Sequence, residues 1–216
     1  MKAIFKSNVT FILPYIIFIV LGGLLLAENT KSAIHLSFNS FHNTFSDSFF
    51  YYITYLGDGV MALLAVILLV SIKYRYAFIV GLSNIIASII TQVLKQTLFS
   101  DAVRPKKFFE GIHDLYFVPG VENYYYYSFP SGHSTCAFSL YFALALLVKN
   151  KTLKLFLFFV ALLVAYSRIY LSQHFFGDVY AGSFIGVFTT FIVYYIIQKK
   201  NNNWMEQSLI TSFKNQ

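Results

Sequence analysis

Apolar residues in this chain gather into six long runs separated by short polar intervals. The runs cover about residues 9–27, 51–71, 76–98, 132–148, 154–171 and 175–198. A helix needs about 20 mainly apolar residues to cross the hydrocarbon core of a bilayer, and runs of this length point to helices, since strands are shorter. The pattern predicts an all-α fold, a polytopic six-helix transmembrane bundle. Residues 1–200 form one domain, and 201–216, opening on three asparagines, form a short polar tail. No internal repeat is visible.

Composition supports lipid as the solvent. The chain is 57% hydrophobic and 12% charged, about half the charge of an average soluble domain. Lys2 and Lys6 precede the first run, as they would in a signal peptide. The run from Val9 to Ala27 is long for one, however, and Leu25 does not suit a small-residue cleavage site. An uncleaved first helix is expected.

The net charge of +7 is read as cytoplasmic loop charge rather than as a nucleic-acid surface. With the N-terminus inside, the inner cations are Lys2, Lys6, Lys73, Arg75, Lys149, Lys151, Lys154, Lys199, Lys200 and Lys214. The outer ones are Lys31, Lys95, Arg104, Lys106, Lys107 and Arg168. This excess places both termini in the cytoplasm. Cys136 is the only cysteine, so no intrachain disulfide forms, and it reads as a small core residue. No Cys/His cluster has zinc spacing.

Two outer connections remain. Residues 28–50 carry Phe38, Phe41, Phe45, Phe49 and Phe50, spaced for an amphipathic helix on the membrane surface or for a loop with aromatic anchors. Residues 99–131 include Tyr124–Tyr127, read as headgroup-level anchors or as the lining of a path for a lipid substrate.

Polar residues concentrate at the outer ends of the runs. In the third, Asn84, Ser88, Thr91, Gln92 and Lys95 recur at intervals of three and four, one helical face, expected to turn inward. Arg104 and Pro105 follow in the outer loop. "FPSGHS", Phe129–Ser134, heads the fourth run, where Ser131 and Gly132 suit a helix start whose free N–H groups attract anions, with His133 in the first turn. Arg168 closes the fifth run. His174 and Asp178 open the sixth, four apart and so on one face. A carboxylate there can hold one imidazole nitrogen and leave the other free as a nucleophile. Gly182 and Gly186 form a small-xxx-small seam. Cations, helix N–H groups and two histidines together describe phosphoryl transfer.

At these residues the chain resembles the type 2 phosphatidic acid phosphatase family of lipid phosphate phosphatases. Ser167-Arg168, five residues, His174, three residues and Asp178 reproduce its third motif, and Pro130–His133 its second. The first motif departs, with eight residues between Lys95 and Arg104 where the family usually has six, which weakens the case for Lys95. The resemblance covers residues 84–190. It implies that His174 attacks phosphorus, that Asp178 orients it, and that His133 protonates the leaving oxygen and then activates water. It further implies that Lys95, Arg104, Arg168, Ser131 and Gly132 hold phosphate, with no metal or other cofactor. His35, His42 and His113 match no motif and read as loop residues; Asp58 reads as a partner for a site cation or as a helix-end acid.

The expected function is hydrolysis of a membrane lipid phosphate or diphosphate at the outer leaflet of the inner (plasma) membrane, with the site facing the periplasm or exterior. Undecaprenyl diphosphate is favoured among candidates that include phosphatidylglycerophosphate, phosphatidate and lipid A phosphates. The alternatives are a lipid-to-lipid phosphotransferase and a non-catalytic binder of anionic lipids. Oligomeric state is not legible.

Overall fold

The computed structural model describes residues 2–214; the side chains of Lys2 and Lys214, both counted among the inner cations, lie outside what it describes. The described chain is helical, with no strand. A short α1 (Lys2–Ser7) leads into α2 (Val9–Glu28), and α3 (Lys31–Asn39) and α4 (Thr44–Ile53) follow. Next come a 3-10 turn (Thr54–Gly57), α5 (Gly59–Ile72), α6 (Tyr74–Thr97) and the short α7 (Pro105–Phe109). The chain ends with α8 (Gly132–Leu147), α9 (Lys151–Tyr170), α10 (Phe176–Gln198), a second 3-10 turn (Asn203–Glu206) and α11 (Leu209–Lys214).

Of the six predicted spans, α2, α6, α9 and α10 are each long and apolar enough to cross a bilayer alone. α8 has 16 residues, about 24 Å at 1.5 Å per residue. It is apolar on every side and buried on nearly every side, as such a helix should be. α6, α9 and α10 pack around it, so protein rather than lipid surrounds the central helix. Gly182 and Gly186 permit that approach: a Cβ on Gly182 would stand 2.6 Å from the Ser131 carbonyl oxygen, and one on Gly186 2.5 Å from that of Thr135. Ser139 and Thr190 hydrogen-bond across the same seam at 2.9 Å, a small-residue contact with polar glue.

The second predicted span, 51–71, is not one continuous helix. Thr44–Gly57 and Gly59–Ile72 meet at 54°. The local cause is Asp58, whose carboxylate accepts from the Val60 N–H at 2.9 Å and starts a new helix. Gly57 makes the corner possible, because a Cβ there would lie 2.4 Å from Val164 Cγ1 and 2.9 Å from the His133 carbonyl oxygen. The bend therefore lays the chain directly against the head of α8.

The 28–50 segment forms two helices, not one. Thr30 caps α3 and Asn43 caps α4, accepting from Ala33 N at 3.2 Å and Ser46 N at 2.9 Å. The phenylalanines split accordingly. Phe41 and Phe45 are each 78% exposed, whereas Phe38 and Phe50 pack on Tyr166. The polar stripe on α6 divides too: Asn84 and Thr91 face the core, while Ser88 and Gln92 are exposed. Asn84 accepts from the buried Cys136 thiol at 3.3 Å, and Thr91 donates to Thr135 at 3.1 Å.

The predicted inner cations share one end of the bundle. Lys154, buried, donates to the Ser7 carbonyl at 2.8 Å and to Asn8. Arg75 donates to the carbonyls of Ile197 (2.6 Å) and Lys200 (2.9 Å), and Glu206 pairs with Lys73 (2.7 Å) and Arg75. The tail is thus clasped to the bundle and is not a free polar extension.

Candidate active site

At the other end of the bundle, the turn from α9 to α10 brings His174 to the site. The Arg168 carbonyl accepts from Gln173 N at 2.9 Å and His174 N at 3.1 Å, and Ser172 takes φ 53°, a left-handed conformation uncommon outside glycine. α3 supports that residue: Asn39 Nδ2 donates to Ser172 Oγ at 3.1 Å, and His35 Nε2 lies 3.3 Å from it.

His174 is 2% exposed. Its Nδ1 lies 3.3 Å from Asp178 Oδ2. The same oxygen accepts from Phe175 N at 3.0 Å and from the Ser128 hydroxyl. A carboxylate held by three donors directs Nδ1–H towards itself and leaves the lone pair on Nε2. Burial, and then the positive fields of Arg104, Arg168 and Lys95 with His133 beyond them, hold the His174 pKa well below its ordinary value of 6.5. The imidazole is therefore neutral at pH 7. A ring-labelled NMR titration should show no protonation of His174 from pH 7.5 down to about 6; a midpoint near 6.5 would contradict the burial and field argument.

Three cations converge here without an acid of their own. Among the described residues, none of Lys95, Arg104 and Arg168 forms a salt bridge. Arg168 is 8% exposed; it donates to Thr54 Oγ1 at 2.6 Å and to Gln173 Oε1 at 3.3 Å, while its Nε has no acceptor. Arg104 is held by the backbone of the tyrosine run, through Tyr126 O at 2.9 Å and Tyr127 O at 3.3 Å, and by Gln173. Burial pulls its pKa below the usual guanidinium value, yet it stays charged. Lys95 is half-buried at the end of α6. Uncompensated charge in a site this dry is costly and demands an anion.

The head of α8 completes the site. Ser131 caps the helix: its Oγ accepts from Ser134 N at 3.4 Å and Ser134 Oγ at 3.0 Å, and its own N–H donates to the Asp178 carbonyl at 3.0 Å. The cap uses Ser131 Oγ as an acceptor only, which leaves its own O–H free to donate to a phosphate oxygen. A Cβ on Gly132 would meet nothing within 4 Å, so open space borders the first residue of α8. His133 follows, half-buried. The structure therefore gathers all eight sequence-predicted site residues at one end of the bundle. Among the described residues, no three His, Cys, Asp or Glu side chains come together to hold a metal.

Sequence reasoning missed Ser128 and Thr54, which belong to no motif, and Gln173, which fills an unspecified position of the third; a polar residue directly before His174 was the only available signal. One histidine needs correction, while His42 and His113 lie in loops as expected. His35 is not a loop residue: it lies in α3, fully buried against Phe109 and Phe175, and burial lowers its pKa to about 4. His42 is half-buried between the Tyr116 and Tyr170 rings, with Nδ1 3.3 Å from Asp47 Oδ1. His113 is exposed. Because it props Ser172, His35→Ala should lower stability by about 2 kcal/mol, read from thermal melting, while kcat falls less than tenfold. Asp58 acts as the α5 cap and forms no ion pair among the described residues.

The bundle sets a carboxylate-held imidazole beside three cations that form no salt bridge among the described residues, an arrangement suited to phosphoryl transfer. The chain belongs to the PAP2 superfamily, whose family model matches residues 75–202, more than half of its length. It is similar to the lipid A 4'-phosphatase of Bacteroides thetaiotaomicron, 26% identical over 171 residues, covering 76% of this chain and 75% of that protein. It is also similar to the lipid A 4'-phosphatase of Porphyromonas gingivalis, 27% identical over 186 residues, covering 81% and 76%. The fold matches the crystal structure of Aquifex aeolicus LpxE with TM-score 0.68 and 24% identity, over 78% of this chain and 97% of that one. It matches the transmembrane PAP2 type phosphatidylglycerolphosphate phosphatase of Bacillus subtilis with TM-score 0.56 and 23% identity, over 91% and 98%.

Proposed function

We propose that this enzyme hydrolyses a phosphate monoester on a lipid headgroup and releases inorganic phosphate, with lipid A-type phosphoglycolipids as the favoured substrate class. The observation that carries this reading is the buried Arg168, whose Nε lacks an acceptor beside the similarly unpaired Arg104 and Lys95. Two relatives named lipid A 4'-phosphatases support the choice of lipid. They move the emphasis from undecaprenyl diphosphate, which stays in the test panel.

In the proposed cycle, His174 Nε2 forms a bond to phosphorus as the bond from phosphorus to the lipid oxygen breaks. His133 donates the proton that the leaving oxygen needs. Water then attacks the phosphohistidine, His133 takes its proton, and the N–P bond breaks to release inorganic phosphate and free His174. Lys95, Arg104, Arg168 and the Gly132 amide hold the phosphate oxygens, where charge grows in the transition state. The site would face the periplasm or exterior of the inner membrane, because the opposite end carries Lys73, Arg75, Lys149, Lys151, Lys199 and Lys200.

Purified protein in detergent, offered lipid A, undecaprenyl diphosphate, phosphatidylglycerophosphate and phosphatidate with a chelator present, should release phosphate with the highest kcat/KM on lipid A. Binding of these lipids without phosphate release would overturn the enzymatic reading. Loss of activity with the chelator would overturn the metal-independent cycle, and transfer of the phosphate to a second lipid would reclassify the enzyme as a phosphotransferase.

A further inference from the structure

Gln173 stands between the two site arginines. Its side-chain oxygen accepts from Arg104 Nη1 at 3.2 Å and from Arg168 Nη2 at 3.3 Å. Its backbone carbonyl accepts from the same Arg104 nitrogen at 3.0 Å. On the other side, Nε2 donates to the Glu122 carbonyl at 2.6 Å. Guanidinium donors on one face and a carbonyl on the other permit only one orientation of the amide, and the residue is 3% exposed. One neutral oxygen therefore ties α9 to the 99–131 loop through both guanidinium groups.

The chemical type of that bridge matters. Two like charges donating to a single buried atom repel each other. A carboxylate in its place would relieve the repulsion, but would also cancel one positive charge and compete with the substrate for the same N–H groups. An apolar side chain would preserve the charge but leave the buried Arg168 Nη2 without this acceptor and Arg104 Nη1 with the backbone carbonyl alone. The carboxamide avoids both outcomes: it aligns the forks and subtracts nothing from the field. Lys95, Arg104 and Arg168 outnumber the two carboxylates whose fields reach them, Asp178 and Asp58, so the site stays net positive and any added negative charge weakens its hold on a doubly charged phosphate.

We propose that Gln173 is a positioning residue that sets the spacing of Arg104 and Arg168 and, by staying neutral, makes the site selective for the dianion of a phosphate monoester. This rests on the lipid phosphatase reading. It adds a determinant at a position the third motif leaves unspecified, and it separates two properties, alignment and charge, that different substitutions disturb differently.

Gln173→Glu keeps an acceptor for both guanidinium groups and removes net charge. Its KM for a lipid phosphate monoester should rise about 10–100-fold, the scale of a charge-assisted contact, with kcat changed about threefold or less. The monoester dianion predominates above pH ~6, so the gain in kcat/KM between pH 5.5 and 7.5 should also shrink in this variant. Gln173→Met keeps the charge and approximate volume but provides no acceptor: kcat should fall about tenfold with the parent's pH profile intact. Inhibition by inorganic phosphate should weaken in the Glu variant far more than in the Met variant.

Parent KM, phosphate inhibition and pH profile in Gln173→Glu would overturn the charge argument. Parent kcat and KM in Gln173→Met would overturn the alignment argument. Size-exclusion elution and melting in detergent report folding, and if the Glu variant does not fold, the Met variant decides. The parent enzyme is the internal control: if it releases no phosphate from any lipid, the phosphatase reading fails, whereas an active parent with unaltered Gln173 variants removes only this inference.

Discussion

Replacing His174 with alanine is expected to abolish phosphate release, by about 10⁴-fold or more, because no second group can take over as nucleophile. His174 is the one imidazole in the site whose Nδ1 is held by a carboxylate, so it alone keeps the Nε2 lone pair free and oriented. It is also neutral well below pH 6.5, so nearly every molecule is ready to attack at pH 7. Truncation of a side chain this buried also affects packing, and His174→Gln, closer in volume, separates the two effects. Both variants should be inactive on lipid phosphate, and the glutamine variant should melt nearer the parent. The comparison with His35→Ala is decisive, since that change removes a buried imidazole that touches no substrate. Equal residual activity in the His174 and His35 variants would end the nucleophile assignment.

Asp178→Asn is expected to lower kcat by about 10²–10³-fold. In a Ser-His-Asp triad the equivalent change costs about 10⁴, partly through the wrong imidazole tautomer. Here the geometry protects the tautomer. The donors from His174, Phe175 and Ser128 all converge on Oδ2, so an asparagine must place its oxygen at that point and present no N–H to Nδ1. What is lost is the negative charge that balances the imidazole as it becomes bonded to phosphorus. Asp178→Ala should be worse in a second way, because the Phe175 amide and Ser128 hydroxyl are then buried without their acceptor, and the melting temperature should fall as well. A fully active Asp178→Asn enzyme would show that the carboxylate is not part of the catalytic unit.

Much of this was legible in the linear chain. Apolar runs of bilayer length report helices because lipid leaves a backbone no other way to satisfy its hydrogen bonds. His174 and Asp178 could be paired on paper because four residues is one helical turn, and Gly182 and Gly186 because small residues at that interval let helices touch. The bend at Asp58 was harder: the helix-end acid is indeed there as the α5 cap, but an apolar run gives no sign that the cap starts a new helix at 54° to the one before. His35 misled for a related reason. A histidine between two predicted spans reads as loop, and only the packing of α3 onto the α9–α10 turn buries it.

By itself, then, the sequence determined the helices, their apolar faces and the local pairs within one turn, since each depends on spacing along a single backbone. The tertiary structure alone decided which groups hold the arginines. Thr54 and Arg168 are 114 residues apart, and Arg104 and Gln173 are 69 apart. Such contacts obey no periodicity: they form because the glycine seam of α10 lets it close on α8, with α6 and α9 packed around the same helix, and because the corner at Gly57 turns the chain back over the head of α8.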